Sequence, residues 1–198
     1  MGRKSHYVQS INHKDIDFLN SLRCSGICTK SQATQFISAN RLKNFVLDRT
    51  LEKCSFITKD GQRQEVYRIS KQGEKFIERQ IPQIPNRYYS STGQEHDLKL
   101  MDKILTLSRE ERQTMRCESE IRDEFKERLQ TYLEQGDTER YNQLYEAMFI
   151  THSISMPELG YGVEEYYEVI TSSYGEAEIA AKAEAVEIIG GNLTMERI

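Results

Sequence analysis

Residues 55–77, SFITKDGQRQEVYRISKQGEKFI, contain the strongest fold signal in this chain. Two short runs rich in β-branched and aromatic residues flank Asp60-Gly61, a dipeptide that is typical of a tight hairpin turn. Ser70 follows the second run and is a good N-cap for a helix over the rest of the segment. The segment therefore predicts an antiparallel β-hairpin that is followed at once by a helix.

Three short helices are predicted upstream of this hairpin, because apolar residues recur there at helical spacing. They cover residues 13–23, 30–37 and 41–54. Thr29 is a good N-cap for the second helix, and Asn40 or Ser38 can cap the third. Three helices joined by short turns and followed by a hairpin are the elements of a winged helix-turn-helix. We therefore predict such a domain over residues 1–81.

The remainder of the chain is predicted to form a second domain. The prolines of IPQIPNR end the first block, so we expect a linker over residues 82–93. Residues 94–198 then contain three helical patterns, a β run that ends in EVIT, and an Ala-rich helix stopped by Gly190 and Gly191. The sequence thus predicts an α+β protein: a winged helix-turn-helix followed by a mixed α/β domain.

Charge is distributed unevenly between the two halves. Residues 1–90 hold 16 Lys and Arg against 8 Asp and Glu, a net charge of +8, whereas residues 91–198 hold 11 against 23, a net charge of −12. A basic half suits a polyanionic partner, because each neutralised phosphate releases counterions. A merely solvated charged surface is the alternative interpretation.

Several classes of protein and site are not indicated. No apolar run reaches the roughly 20 residues that span a bilayer, and the N-terminal sequence resembles no secretory signal. The four cysteines lack the spacing of a zinc site, and we expect reduced thiols and a cytoplasmic location. We expect no membrane partner and no cofactor.

The candidate DNA-binding residues lie on the second helix, the third helix and the hairpin. They are Lys30, Ser31, Asn40, Arg41, Lys43, Asn44, Lys59 and Arg63. The front of the third helix is where a recognition helix enters the major groove, and Arg and Asn can each contact a base with two hydrogen bonds. The other cations would hold phosphates, and those beside the hairpin turn could also lie in the minor groove.

The phrase VYRISKQGEKFI resembles the wing strand and helix of many winged-helix regulators. His96-Asp97, Glu118 with Arg122, Pro157-Glu158, Glu168 in YEVI, and Lys182 occur in the order of a second, sparser pattern. Together these features resemble the replication-relaxation family of plasmid and mobile-element proteins. The resemblance implies a winged helix joined to a domain with a PD-(D/E)xK nuclease-like fold.

The nuclease pattern is incomplete in this chain. Glu158 stands where the motif has Asp, and Ile170 stands where the catalytic lysine belongs, although Lys182 could take its place from the next helix. Glu118, Glu158 and Glu168 could supply acids to Mg²⁺ in a nuclease. The alternative is surface carboxylates on a retained scaffold, with Glu118 and Arg122 pairing along one helix face. The second domain is therefore expected to be a degenerate, restriction-endonuclease-like fold, with no confident catalytic or metal residue.

The expected function is sequence-specific binding of double-stranded DNA, controlling transcription or replication of a plasmid, phage or conjugative element. A homodimer is expected, because one winged helix reads few base pairs. The first alternative is a Mg²⁺-dependent nuclease or nicking accessory at a plasmid origin. The second is a protein-interaction module whose winged helix does not bind DNA. His96 is expected to be a polar surface group.

Overall fold

A computed structural model describes residues 7–90, 93–149 and 156–198 of the chain. The chain divides into two compact units, Met1–Gln113 and Thr114–Ile198. Both units contain helices and strands, so the predicted α+β class is confirmed. Within the described ranges, no helix combines the length and the apolar character needed to cross a bilayer.

The first unit begins with three helices, α1 (His13–Ser25), α2 (Lys30–Ala33) and α3 (Ala39–Leu47). Two strands follow, β1 (Leu51–Ile57) and β2 (Arg63–Ile69), and they form an antiparallel hairpin. The unit ends with α4 (Lys71–Gln80), α5 (Gln94–Thr106) and α6 (Arg109–Gln113). Its core contains fully buried apolar side chains from most of these elements: Phe18, Leu22, Leu42, Phe45, Leu51, Ile77 and Ile104.

The helix starts of this unit follow from local sequence. Thr29 accepts a hydrogen bond from the amide of Gln32, and the side chain of Gln32 bonds back to the amide of Thr29. Ser38, one of the two predicted caps, accepts from the amide of Arg41 at 3.2 Å. Ser70 caps α4 through the amide of Gly73 at 2.9 Å. The predicted caps of α2 and α4 are therefore confirmed.

The third helix is shorter than the sequence predicts. Its apolar pattern extends to Cys54, but α3 ends at Leu47 and Arg49 adopts a left-handed φ of 60°. The chain then enters β1, in which every residue from Leu51 to Ile57 pairs with β2. Pairing across the hairpin thus overrides the helical spacing of the sequence.

The stretch predicted to be a linker, residues 82–93, belongs to the first unit over its described part. Ile84 and Tyr89 are buried, and the amide of Tyr89 donates to the carbonyl of Arg23 at 2.8 Å. Helix α5 packs on α1 and α2 in the same unit. The boundary between the units therefore lies after Gln113, because the apolar residues of this region complete the first core.

The second unit contains four strands and three helices among its described residues. Its first elements are β3 (Arg116–Cys117), α7 (Glu118–Gln135) and α8 (Thr138–Met148). The others are β4 (Leu159–Tyr161), β5 (Glu165–Ile170), α9 (Glu176–Ile188) and β6 (Asn192–Arg197). The sheet order is β3-β4-β5-β6, and only β5 and β6 run parallel, with α9 as the crossover between them.

One face of this sheet is covered by helices. The core joins apolar side chains of α7, α8 and α9 to Tyr166 of β5, whose ring meets Phe125 edge to face at 5.8 Å. In the register of β4 and β5, Leu159 lies opposite Tyr167. Glu158, directly before β4, is thereby brought next to Glu168 of β5, and the sequence alone does not predict this pairing.

Candidate nucleic-acid interface

A groove in the first unit collects cations from three elements. It has a volume of about 490 Å³ and is lined by Lys30 of α2, Asn40 and Lys43 of α3, and Lys53 and Tyr67 of the hairpin. All three lysines and Asn40 are exposed, whereas Tyr67 is buried. Three of the eight predicted DNA-binding residues are thus brought together, and the groove presents several positive charges beside one amide side chain.

The hairpin extends this cationic surface, because direct cross-strand partners share a face of a sheet. Lys53 pairs with Tyr67, and two steps along the hairpin are Ser55 opposite Glu65 and Ile57 opposite Arg63. Arg63 therefore shares the face of Lys53, and its guanidinium donates to the hydroxyl of Ser55 at 3.1 Å. We call Lys30, Asn40, Lys43, Lys53 and Arg63 the cationic surface.

Lys53 is a candidate that sequence reasoning missed. The predicted third helix includes Lys53, which appears there as a solvated position. In the structure Lys53 lies on β1, where it points to the same face as the groove. The alternation of half-buried and exposed residues along residues 51–57 is visible only in the folded hairpin. The nearest signal in the sequence is the β run SFIT, which could have been extended back to Lys53.

Arg41 is held inside the unit rather than presented to a ligand. Its guanidinium donates to both carboxylate oxygens of Asp15, at 2.9 and 2.6 Å, and also to the carbonyl of Ser10. Asp15 is fully buried, and the Arg41 guanidinium lies 5.3 Å from the ring centre of Phe45. We therefore assign Arg41 to positioning α3 against α1, and its predicted contact with DNA stays a prediction.

The other predicted residues occupy varied positions. Ser31 is exposed, and its hydroxyl lies 2.9 Å from that of Thr29, so the start of the four-residue helix α2 is already capped by side chains. Asn44 is half-buried on α3. Lys59, at the hairpin tip, forms an ion pair with Glu95 at 2.8 Å. The predicted set is thus split between one surface and separate ion pairs.

His96 and Asp97 are buried in the first unit, contrary to the expected surface position of His96. Their side chains lie 3.4 Å apart, and the hydroxyl of Tyr89 is 3.4 Å from the same ring nitrogen. The rings of Tyr89 and His96 are nearly parallel. This cluster lies where the end of α1, at Gly26, meets the start of α5.

The predicted nuclease residues of the second unit come together in part. Lys182 of α9 donates to Glu168 of β5, and the amide of Glu158 donates to the other oxygen of Glu168 at 3.2 Å. Glu158 accepts in turn from the amide of Val169 at 3.1 Å. All three charged side chains are almost completely buried. We call Glu158, Glu168, Lys182 and Tyr174, which is bonded to Glu168, the buried cluster.

Electrostatics in the buried cluster favour a protonated carboxyl group. Burial, and then the nearby charge of Glu158, raise the pKa of Glu168 to about 7, although Lys182 opposes the shift. Burial and the carboxylate of Glu168 also raise the pKa of Tyr174. The ammonium of Lys182 lies 4.8 Å from the centre of the Tyr174 ring. One ammonium group thus meets two buried carboxyl groups, and a proton on Glu168 balances the charges.

This arrangement does not fit a magnesium ion. Mg²⁺ requires oxygen ligands in near-octahedral geometry, but three of the four carboxylate oxygens of Glu158 and Glu168 accept hydrogen bonds from protein donors. Glu118 is instead paired with Arg122 at 2.6 Å along α7. Among the residues that the structure describes, no group of three or more His, Cys, Asp or Glu side chains could hold a metal ion.

The raised pKa of Glu168 predicts a pH-dependent stability for the second unit. The folded unit holds a proton on Glu168 more tightly than the unfolded chain does, whose carboxyl titrates near 4.5. The resulting stabilisation, on the order of 3 kcal/mol, is complete below that pH and is lost as the pH rises through about 7. Hydrogen exchange of the β5 amides between about pH 5 and pH 8 measures this loss.

Glu168→Gln is expected to remove most of this pH dependence, because the amide does not titrate. Glu184→Gln, an exposed position on the same helix as Lys182, is the matched control and should keep the wild-type profile. An unchanged profile in Glu168→Gln would assign the titration to another group.

The arrangement of the predicted residues is therefore clear in both units. Lys30, Asn40, Lys43 and Arg63 share one surface, and Glu158, Glu168 and Lys182 share one buried cluster. Arg41, Lys59 and Glu118 are held in ion pairs elsewhere.

No family model, curated protein or solved structure shows a significant match to this chain.

Proposed function

We propose that this chain binds duplex DNA in a sequence-specific manner through its first unit, used as a winged helix-turn-helix. In this proposal it regulates transcription or replication of a mobile genetic element. The observation that carries the proposal is the groove in which Lys30, Lys43 and Lys53, from three different elements, surround the exposed Asn40. Exposed cations that line one groove suit the phosphates of a duplex, while an amide can read adenine.

The element order supports a winged helix. Three helices are followed directly by the antiparallel hairpin and by α4, and β2 makes an additional bridge from Tyr67 to Cys28 before α2. Asn40 and Lys43 lie three residues apart on α3, so they face the same side of that helix. In this proposal α3 enters the major groove, and Arg63 of the hairpin follows the neighbouring backbone.

Salt dependence of DNA binding tests the proposal. Lys30 and Lys43 are exposed and form no ion pair within the described residues. Changing either to alanine should weaken binding several-fold and reduce the slope of log K against log salt by about 0.9, because one phosphate contact is lost. The double variant should lose roughly twice that slope. Fluorescence anisotropy with a labelled duplex of random sequence measures both quantities.

Lys126→Ala is the matched control, because Lys126 is an exposed lysine of α7 in the second unit. It should leave affinity and slope unchanged. Wild-type binding by the double variant of Lys30 and Lys43 would place DNA on another surface. Complete absence of duplex binding would favour a protein-interaction role for the first unit.

The proposal includes a homodimer and a cytoplasmic location. A dimer is favoured by DNA recognition itself, since one short helix and one hairpin read few base pairs. Light scattering of the protein alone and with DNA measures its size. A monomer in both states would remove this part of the proposal while leaving DNA binding intact.

A nuclease is the second candidate function, in which the second unit is a degenerate restriction-endonuclease-like fold. It is favoured by one observation: Glu158, Glu168 and Lys182, which are separated by 10 and 14 residues, meet at one place. It is opposed by their hydrogen bonds, which occupy most of the carboxylate oxygens. Conversion of supercoiled DNA to nicked or linear DNA in the presence of Mg²⁺ tests the nuclease candidate. The activity must disappear in Glu168→Ala. If the DNA remains intact with each of several divalent metals, the nuclease candidate is rejected.

A further inference from the structure

Two lysines near the proposed DNA-binding surface are held by carboxylates of the same unit. At the hairpin tip, the carboxylate of Glu95, near the start of α5, accepts from the ammonium of Lys59 at 2.8 Å and from its backbone amide at 3.1 Å. Both contacts lower the pKa of Glu95, so it is ionised at neutral pH. Lys59 remains largely exposed, and its charge is countered on one side only.

A similar pair lies on the hairpin face. The ammonium of Lys53 is 2.6 Å from the carboxylate of Glu65, and both side chains are about half exposed. The bond from Lys53 lowers the pKa of Glu65, and the charge of Lys30 contributes to the same shift. Glu65 therefore lies among the cations of the groove, at the place where a phosphate group would be attracted.

In both pairs, an anionic oxygen of Glu65 or Glu95 contacts the lysine in the way that a phosphate oxygen of DNA would. A lysine ammonium can be shared between a carboxylate and a phosphate only by weakening one contact, and an uncompensated acid near DNA repels the backbone. Lys30 and Lys43 are the contrasting case, since neither forms an ion pair within the described part of the chain. Of these four lysines, Lys30 and Lys43 are thus available, and Lys53 and Lys59 are already occupied.

We infer that Glu65 and Glu95 restrain the affinity of this surface for DNA of any sequence by occupying Lys53 and Lys59. The inference rests on the proposed DNA-binding function. Its benefit is selectivity: a genome offers a very large excess of competing sites, so a binding protein gains when its sequence-independent affinity is low. Base contacts from α3 then account for a larger share of the discrimination.

Salt titrations on a random-sequence duplex test the inference. Glu95→Gln and Glu65→Gln retain the shape of the side chain and remove its charge. Each is expected to tighten binding several-fold and to steepen the salt slope by about 0.9, as one lysine becomes available to a phosphate. The increase must vanish when the partner lysine is also removed, in Glu95→Gln with Lys59→Ala and in Glu65→Gln with Lys53→Ala.

A matched control separates this inference from a general effect of charge. Glu110→Gln removes an exposed acid of α6 as the matched control and should not change the slope. A normal slope in both Glu→Gln variants, or a steeper slope that persists when the partner lysine is also removed, overturns the inference while DNA binding stands. No duplex binding by any variant overturns the proposed function as well.

Discussion

Lys182→Met is expected to destabilise the second unit by about 3–5 kcal/mol, because Lys182 is the one cation bonded to Glu168 among the described residues, and its loss leaves two buried carboxyl groups without a counter-charge. Methionine preserves the length and apolar stem of the side chain, so the loss reflects charge rather than volume. Urea titration at about pH 8 and hydrogen exchange of the β5 amides measure the effect, because the wild-type Glu168 carboxyl is ionised at that pH, whereas removal of Lys182, which lowers its pKa, forces it to take up a proton.

The double variant Lys182→Met with Glu168→Gln is the informative comparison. It removes the cation and the carboxylate with the raised pKa together, so most of the lost stability should return. Recovery in the double variant identifies the unpaired buried charge as the cause. An unchanged urea midpoint in Lys182→Met alone would contradict the structure of the buried cluster.

Gly73→Ala is expected to destabilise the first unit by about 3 kcal/mol, although alanine is the better helix former by roughly 1 kcal/mol. A Cβ at this position of α4 would lie 2.0 Å from the carbonyl oxygen of Thr50 and 3.1 Å from Cγ2 of Ile69. The obstacle is backbone at the start of the hairpin, which cannot rotate away as a side chain could. Thermal or urea unfolding of the full chain measures the loss.

Lys75→Ala is the control for this prediction, because Lys75 is exposed on the same helix. Its effect should stay within about 0.5 kcal/mol, as for most surface positions. Higher stability in Gly73→Ala would mean that helix propensity outweighs packing and that α4 does not approach Thr50 closely. Glycine at position 73 disfavours helix formation, which is visible in the sequence. The close approach of the Thr50 backbone explains why glycine is nevertheless required there.

Much of the first unit could be predicted from short-range signals. Asp60-Gly61 and the runs beside it specified the hairpin, and Thr29 and Ser70 specified the starts of α2 and α4. The end of α3 could not be predicted in this way. Residues 51–54 satisfy a helical pattern as well as a strand pattern, and pairing with β2 selects the strand.

The candidate site was predictable in its components but not in its assembly. Lys30, Asn40 and Lys43 were identified from their positions at helix starts. The role of Arg41 depends on Asp15, 26 residues away, and the spacing of residues along the chain does not predict that ion pair. Likewise, sequence order placed Glu158, Glu168 and Lys182 in a series without showing that each is buried and hydrogen-bonded.

The sequence by itself determined the α+β class, the hairpin with its flanking helices, and the contrast between a basic front half and an acidic back half. These properties depend on neighbours within a few residues, or on composition, and both can be read along the chain. Only the tertiary structure decided which cations are available, which are held by Asp15, Glu65 or Glu95, and why Gly73 is needed. Such outcomes depend on distances between residues that are remote in sequence, and the packing of the folded chain sets those distances.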